Sequence, residues 1–127
     1  MIEISFFNYI SPIIGGTFFM FATGFIPEHI RQRFHATVVT VAAGTYLGFS
    51  YGKLEILFTV AMALAGFMGH KNWKFVALAW FLHGAVDWLH HNVNDPVLKW
   101  YEPSSFECII VDWYLAIWFF IGAPNWT

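Results

Sequence analysis

Residues 73–91, WKFVALAWFLHGAVDWLHH, combine a hydrophobic stretch long enough to cross a membrane with a row of ionisable side chains. An α-helix advances about 100° per residue, which places His83, Asp87 and His90 within about 60° of one another on one face, with His91 at its edge. Ionisable groups in membrane helices are rare, face the bundle interior and usually serve a function. The stretch therefore predicts a membrane helix that carries a functional site.

The composition of the chain indicates an integral membrane protein. Of the 127 residues, 58% are hydrophobic, 21% aromatic and only 11% charged, whereas soluble domains carry about 25% charged residues. The formal net charge of −2 gives no basis for binding nucleic acid. The single cysteine, Cys108, excludes an intrachain disulfide and a CxxC metal site. The first hydrophobic segment lacks a basic n-region, so we expect it to be a retained span.

Five segments approach the roughly 20 apolar residues that a membrane-crossing helix needs. They are residues 4–26, 36–50, 54–69, 73–91 and 105–122. The prediction is one all-α domain over residues 1–127, a polytopic membrane helical bundle of about five transmembrane helices. Spans two and three are short, and a re-entrant hairpin is the alternative for them. Small residues at four-residue spacing favour close helix packing there. They are Gly44 and Gly48, and Ala61, Ala65 and Gly69.

The basic residues predict the orientation of the bundle. Four of the six Lys and Arg residues follow spans one and three: Arg31, Arg33, Lys71 and Lys74. The positive-inside rule places these two loops in the cytoplasm, the N-terminus outside and the C-terminus in the cytoplasm. The loop after span one also contains Glu28, His29 and His35. We interpret it as a solvated basic loop.

The polar residues of spans four and five are expected to meet. Because these spans are antiparallel neighbours, His83, Asp87 and Asp112 lie at similar depths, with His83 about 12 Å from the outer end at 1.5 Å per residue. Ser105, Cys108 and Asp112 recur at three- and four-residue intervals and share one face of span five. That face predicts a single polar cluster in the outer half of the bundle.

The first interpretation of this cluster is a metal site. The candidate ligands are His83, Asp87, His90, His91, Cys108 and Asp112. Two imidazoles with one carboxylate suit zinc with an open water position, or non-haem iron. Asp87 and Asp112 are the candidate catalytic residues, with Asp112 as a general base or as an orienting group for a ligand. The predicted function is a metal-dependent hydrolase or oxidoreductase acting on a lipophilic small molecule from the lipid bilayer.

Three alternatives remain for the same cluster. Chains of Asp and His serve proton relays, which suits a proton-conducting or transport element, or an accessory subunit of a larger membrane complex. Glycine stripes would support a homo-oligomer in that case. A haem or chlorophyll-type pigment is the second alternative, on His83 in the pattern Ala79-x-x-x-His83. The third is a purely structural hydrogen-bond network between helices.

Three other ionisable residues receive structural interpretations. The sequence Ser104-Ser105-Phe106-Glu107 contains an S-x-x-E capping box, so Glu107 is interpreted as a helix cap. Glu55 lies near a helix start and is interpreted as a first-turn acid that complements the helix dipole. His70, beside Lys71, is interpreted as an interfacial residue.

Three motifs connect the chain to other proteins. They are Glu28-His29-x-Arg31-x-Arg33-Phe34, His83-x-x-x-Asp87-x-x-His90-His91 and Pro103-Ser104-Ser105-x-x-Cys108-x-x-x-Asp112. Through them the sequence resembles, over nearly its whole length, an uncharacterised family of small bacterial multi-span membrane proteins. The resemblance implies the architecture of a bacterial inner-membrane protein and pairs the motifs of spans four and five. It implies no particular activity.

Overall fold

The computed structural model describes residues 3–44, 53–92 and 101–124, with the backbone alone for residues 53–55. These residues form five α-helices and no β-strand. The helices are α1 (Phe6–Thr23), α2 (Glu28–Ala43), α3 (Lys53–Met68), α4 (Trp73–Asn92) and α5 (Ser104–Phe120). The all-α prediction is confirmed. The interpretations of Gly48 and of the Glu55 side chain concern groups outside the described part of the chain.

Among the described residues, α1 is the one helix whose length and composition suit a membrane span. Residues Ile56–Met68 of α3 form a shorter apolar helix. Among the described residues, length and hydropathy thus single out one candidate span, which lies near the N-terminus. The sequence analysis predicted five spans.

The helices run up and down, with α4 at the centre of the bundle. Helix α4 packs against α2, α3 and α5, and α1 packs against α5. At one end, Asn8 Nδ2 donates to the Tyr101 hydroxyl at 3.1 Å, which joins the start of α1 to the segment before α5. At the other end, Gln32 Nε2 donates to the Gly69 carbonyl at 2.9 Å, which joins the start of α2 to the end of α3. Helices α1 and α5, which begin at the same end, are therefore parallel, whereas α2 and α3 are antiparallel.

Glycine permits the closest helix contacts. A Cβ atom on Gly84 of α4 would collide with the Trp113 indole of α5. A Cβ on Gly66 of α3 would collide with the Thr40 hydroxyl of α2. The missing side chain of Gly66 lets the backbones of α2 and α3 approach. Gly66 lies outside the small-residue pattern of the sequence analysis, and a Cβ on Gly44, which belongs to that pattern, would meet nothing within 4 Å.

The start of α2 corrects the sequence analysis. Span two was predicted to begin at residue 36, but α2 begins at Glu28, directly after Pro27 as its N-cap. The physical reason is that Pro27 suits a helix start and Glu28 complements the helix dipole, signals that hydropathy alone overlooks. Arg31 and His35 are therefore not in a solvated loop: they are 5% and 0% exposed.

The remaining charged residues of this segment do face outward. Glu28, His29 and Arg33 are exposed on α2. His70, in the turn between α3 and α4, is also exposed. Helix α2 thus begins with one buried face and one charged, exposed face.

Replacing Gly84 with alanine should destabilise the bundle, because the new methyl group displaces the Trp113 ring. The expected loss is about 1–3 kcal/mol in the free energy of unfolding, as for other overpacked cores. Chemical denaturation in detergent measures it. The matched control is Gly15→Ala in α1, where a Cβ meets nothing within 4 Å. That variant should be neutral or more stable, since alanine is the better helix former. Equal losses in both variants would contradict the importance of the Gly84 contact.

Candidate functional site

The ionisable face of α4 is buried, as its spacing predicted. His83, Asp87 and His90 are among the buried residues of this helix. His91, at the edge of the face, is partly buried. Three ionisable side chains of α4 are thus buried against neighbouring helices, and a fourth lies at the edge of the buried face.

Asp87 of α4 meets Asp112 of α5 across the helix interface. Their side chains are hydrogen bonded to each other, and they are 1% and 5% exposed. A carboxylate is an acceptor only, so a hydrogen bond between two carboxyl groups requires a proton on one of them. Two like charges in contact in the interior would also be costly. The contact therefore favours a proton on one of the two carboxyl groups. It places Asp87 and Asp112 at one depth, as expected from the sequence, whereas His83, the third residue of that prediction, contacts α2.

His83 connects α4 to α2 rather than to α5. Its Nε2 atom lies 3.2 Å from the Val39 carbonyl oxygen of α2. A carbonyl oxygen only accepts, so Nε2 is the donor and carries the proton. The ring also contacts Trp80, with 5.4 Å between the ring centroids. A metal bound by His83 in this arrangement would have to use Nδ1 or displace the bond to Val39.

The predicted ligands do not converge on one point, since Asp87 contacts Asp112 of α5 whereas His83 contacts α2. Within residues 3–44, 53–92 and 101–124, no group of three or more His, Cys, Asp or Glu side chains is placed to hold a metal ion. Cys108 is partly buried and lies within electrostatic range of the carboxyl groups of Asp87 and Asp112. The metal site remains a prediction.

Glu107 joins α5 to α1, which corrects its interpretation as a helix cap. The Ser11 hydroxyl of α1 donates to Glu107 Oε1 at 2.6 Å. The N-cap of α5 is Pro103 and not Ser104, and it makes no side-chain capping bond. Because the helix begins one residue earlier than a capping box requires, Glu107 lies one position further into the helix and reaches its neighbour.

Tyr101 extends this contact into a polar network at the same end of the bundle. Its hydroxyl forms a hydrogen bond with Glu107 and accepts one from Asn8. The bond to the Glu107 carboxylate is the main cause of a raised pKa of the Tyr101 phenol, and the bond from Asn8 acts in the opposite direction. We call Asn8, Ser11, Tyr101 and Glu107 the outer network.

Arg31 and His35 form a second buried site, which the sequence analysis missed. Arg31 Nη1 donates to the Ala123 carbonyl at 3.2 Å, and its guanidinium lies 5.7 Å from the Trp73 ring centroid. His35 is enclosed by aromatic rings with centroids 4.8–5.8 Å away. Those rings belong to Phe19, Phe34, Trp73, Trp118 and Phe119. In the described structure neither His35 ring nitrogen has a hydrogen-bond partner.

One sequence signal could have revealed this site. Arg31 and His35 are four residues apart, so they share a helix face once the helix is taken to begin after Pro27. Apart from Phe34 of α2, their aromatic neighbours come from α1, α4 and α5, at sequence distances that no local pattern indicates.

The fold and the site define a five-helix protein with a pair of buried acids in contact in its core. The chain belongs to the family of unknown function DUF6010, whose model matches residues 7–125. No curated protein and no solved structure shows significant similarity to it. The prediction of an uncharacterised family is confirmed, while membrane insertion and bacterial origin remain predictions.

Replacing Asp112 with asparagine should be tolerated better than replacing it with alanine. Asparagine keeps the shape of the side chain and supplies an N–H donor to Asp87, whereas alanine leaves a buried carboxyl group without this partner. We expect Asp112→Ala to lose about 1–3 kcal/mol more in the free energy of unfolding than Asp112→Asn. Denaturation in detergent measures the difference, with Glu102→Gln at an exposed acid as the control. Equal losses for the two Asp112 variants would contradict the hydrogen-bonded pair.

Proposed function

We propose that this protein is an integral membrane protein in which the Asp87–Asp112 pair takes up and releases protons, as a relay or transport element. The observation that carries the proposal is the contact between two buried carboxyl groups at a helix interface, where a proton on one of them would relieve the repulsion. Such intramembrane acids mark proton and ion pathways.

The distribution of apolar side chains supports the membrane location. Large hydrophobic residues are exposed on every helix, for example Phe18, Val41, Phe67, Phe81 and Ile117. Soluble monomers rarely expose continuous apolar surface beyond a few hundred Å². The ionisable residues of the α4 face are buried instead. This inside-out pattern is the one that lipid contact favours.

The ends of the bundle support an orientation. The turns after α1 and α3 lie at the same end, since Gln32 contacts Gly69 there. That end carries the four basic residues Arg31, Arg33, Lys71 and Lys74, and the positive-inside rule assigns it to the cytoplasm. The outer network then faces the opposite side of what we propose to be a bacterial inner membrane.

A ladder of groups that both donate and accept protons leads inward from the outer network. Glu107 and Asp112 are five residues apart, about 7.5 Å along α5. Cys108 lies within electrostatic range of both. On α4, Asp87 is one helical turn from His83, whose imidazole can also carry a proton. These groups are the candidates for carrying protons between the Asp87–Asp112 pair and the outer surface.

A metal-dependent enzyme is the second candidate function. The observation that favours it is the burial of two histidines and two carboxyl groups within the bundle, since these are side chains that zinc and iron bind. Such a centre would support hydrolysis or oxidation of a lipophilic molecule. The His83 bond to Val39 opposes it, because that bond occupies one ring nitrogen.

Proton conduction is tested in vesicles that carry the reconstituted protein and an internal pH-sensitive dye. We expect wild-type protein to dissipate an imposed pH gradient faster than protein-free vesicles do. Asp87→Asn and Asp112→Asn should reduce the rate to that of protein-free vesicles, because an amide cannot exchange the shared proton. Glu102→Gln should retain the wild-type rate. A wild-type rate equal to that of empty vesicles would overturn the proposal.

Metal binding is tested by elemental mass spectrometry and an absorption spectrum on detergent-purified protein. The enzyme candidate expects near-stoichiometric zinc or iron in the wild type, lost in His90→Ala and retained in His70→Ala at an exposed histidine. A metal-free wild type would reject this candidate. The same spectrum tests the pigment alternative, which requires a strong visible absorption band.

A further inference from the structure

An apolar groove of about 520 Å³ lies on the outer surface between α4 and α5. Leu78 of α4 and Ile117 of α5 form its sides. Lys74 is the one charged residue among the described residues that line it, and none of them is acidic. The groove, which we call the α4–α5 groove, therefore combines a hydrophobic trough with a single positive charge.

The far end of the groove is a fixed aromatic wall. The rings of Phe81 and Trp113 are stacked, with centroids 5.8 Å apart and planes 17° from parallel. Trp113 Nε1 donates to the Phe81 carbonyl at 3.1 Å, so its polar group is already satisfied. Gly84 leaves room for the indole. The wall thus offers a rigid carbon surface to an occupant.

The near end of the groove carries the charge. The Lys74 ammonium lies 5.6 Å from the Phe120 ring centroid, at the start of α4. Lys74 and Phe81 are seven residues apart, about 10 Å along the helix. An occupant that matches both ends has an anionic group at Lys74 and a hydrocarbon chain that runs towards Phe81 and Trp113.

We propose that the α4–α5 groove binds a phospholipid with a single net negative charge. Its phosphate contacts Lys74, and part of one acyl chain lies between Leu78 and Ile117. This inference rests on the membrane location proposed above and is independent of proton conduction. Lys74 belongs to the end of the bundle assigned to the cytoplasm, where anionic lipids attract basic side chains. One positive charge in the groove matches one negative charge on the lipid.

Tryptophan quenching by brominated lipids tests the groove. The full chain is reconstituted in phosphatidylcholine vesicles that contain, at equal mole fraction, either phosphatidylglycerol or phosphatidylcholine with brominated acyl chains. We expect about a fivefold preference for the anionic lipid in the wild type, the advantage of one basic side chain near an anionic headgroup. Lys74→Gln should abolish the preference, and Lys71→Gln, outside the groove, should retain it. The difference in quenching between wild type and Trp113→Phe isolates the fluorescence of Trp113, and this difference should show the preference for the anionic lipid.

Each contrary result has a distinct meaning. Equal quenching by the two lipids in the wild type overturns the proposal, and so does a preference that survives Lys74→Gln. A preference lost equally in Lys71→Gln shows only general attraction to an anionic surface, which also overturns it. Protein that alkaline carbonate extracts from the vesicles refutes the membrane location, and the groove proposal with it. Retained protein without lipid preference refutes the groove alone. A second copy in the groove would remove quenching by both lipids and overturn the proposal.

Discussion

The contact between α4 and α5 is the constraint on which the rest of the structure depends. The indole of Trp113 enters the space left by Gly84 and donates to the Phe81 carbonyl, which fixes the register of the two helices. Asp112 immediately precedes Trp113 in α5, and this register brings it to Asp87. Because two charged carboxylates would repel each other in the interior, the same contact also favours a proton on one of them. Helix packing and protonation are thus coupled at one interface.

The core of the candidate site follows from the sequence, because helical periodicity and antiparallel depth are local arguments. The spacing of His83, Asp87 and His90 predicts their shared face, and depth from the helix ends predicts the meeting of Asp87 with Asp112. Neither argument identifies the atom that each group contacts. The bond from His83 to Val39 crosses to a helix that these arguments did not include. Metal coordination depends on such details, so the predicted ligands do not by themselves define a centre.

The errors of the sequence analysis share one physical cause. The sequence analysis placed Arg31 in a solvated loop and interpreted Glu107 as a helix cap, because it considered only their neighbours in the sequence. Their partners are instead Ala123 and Ser11, which are 92 and 96 positions away. A charged residue can be buried when a residue distant in the sequence provides its hydrogen-bond partner. Hydropathy includes the cost of burying the charge but not the gain from that partner.

The position of α1 has a consequence for how the protein is made. Helix α1 packs against α5, and the Ser11–Glu107 bond joins the first helix of the chain to the last. The ribosome synthesises α1 before α5, so α1 exists for a time without its partner helix. The docking of α1 against α5 therefore follows the synthesis of α5 and is a late step in assembly.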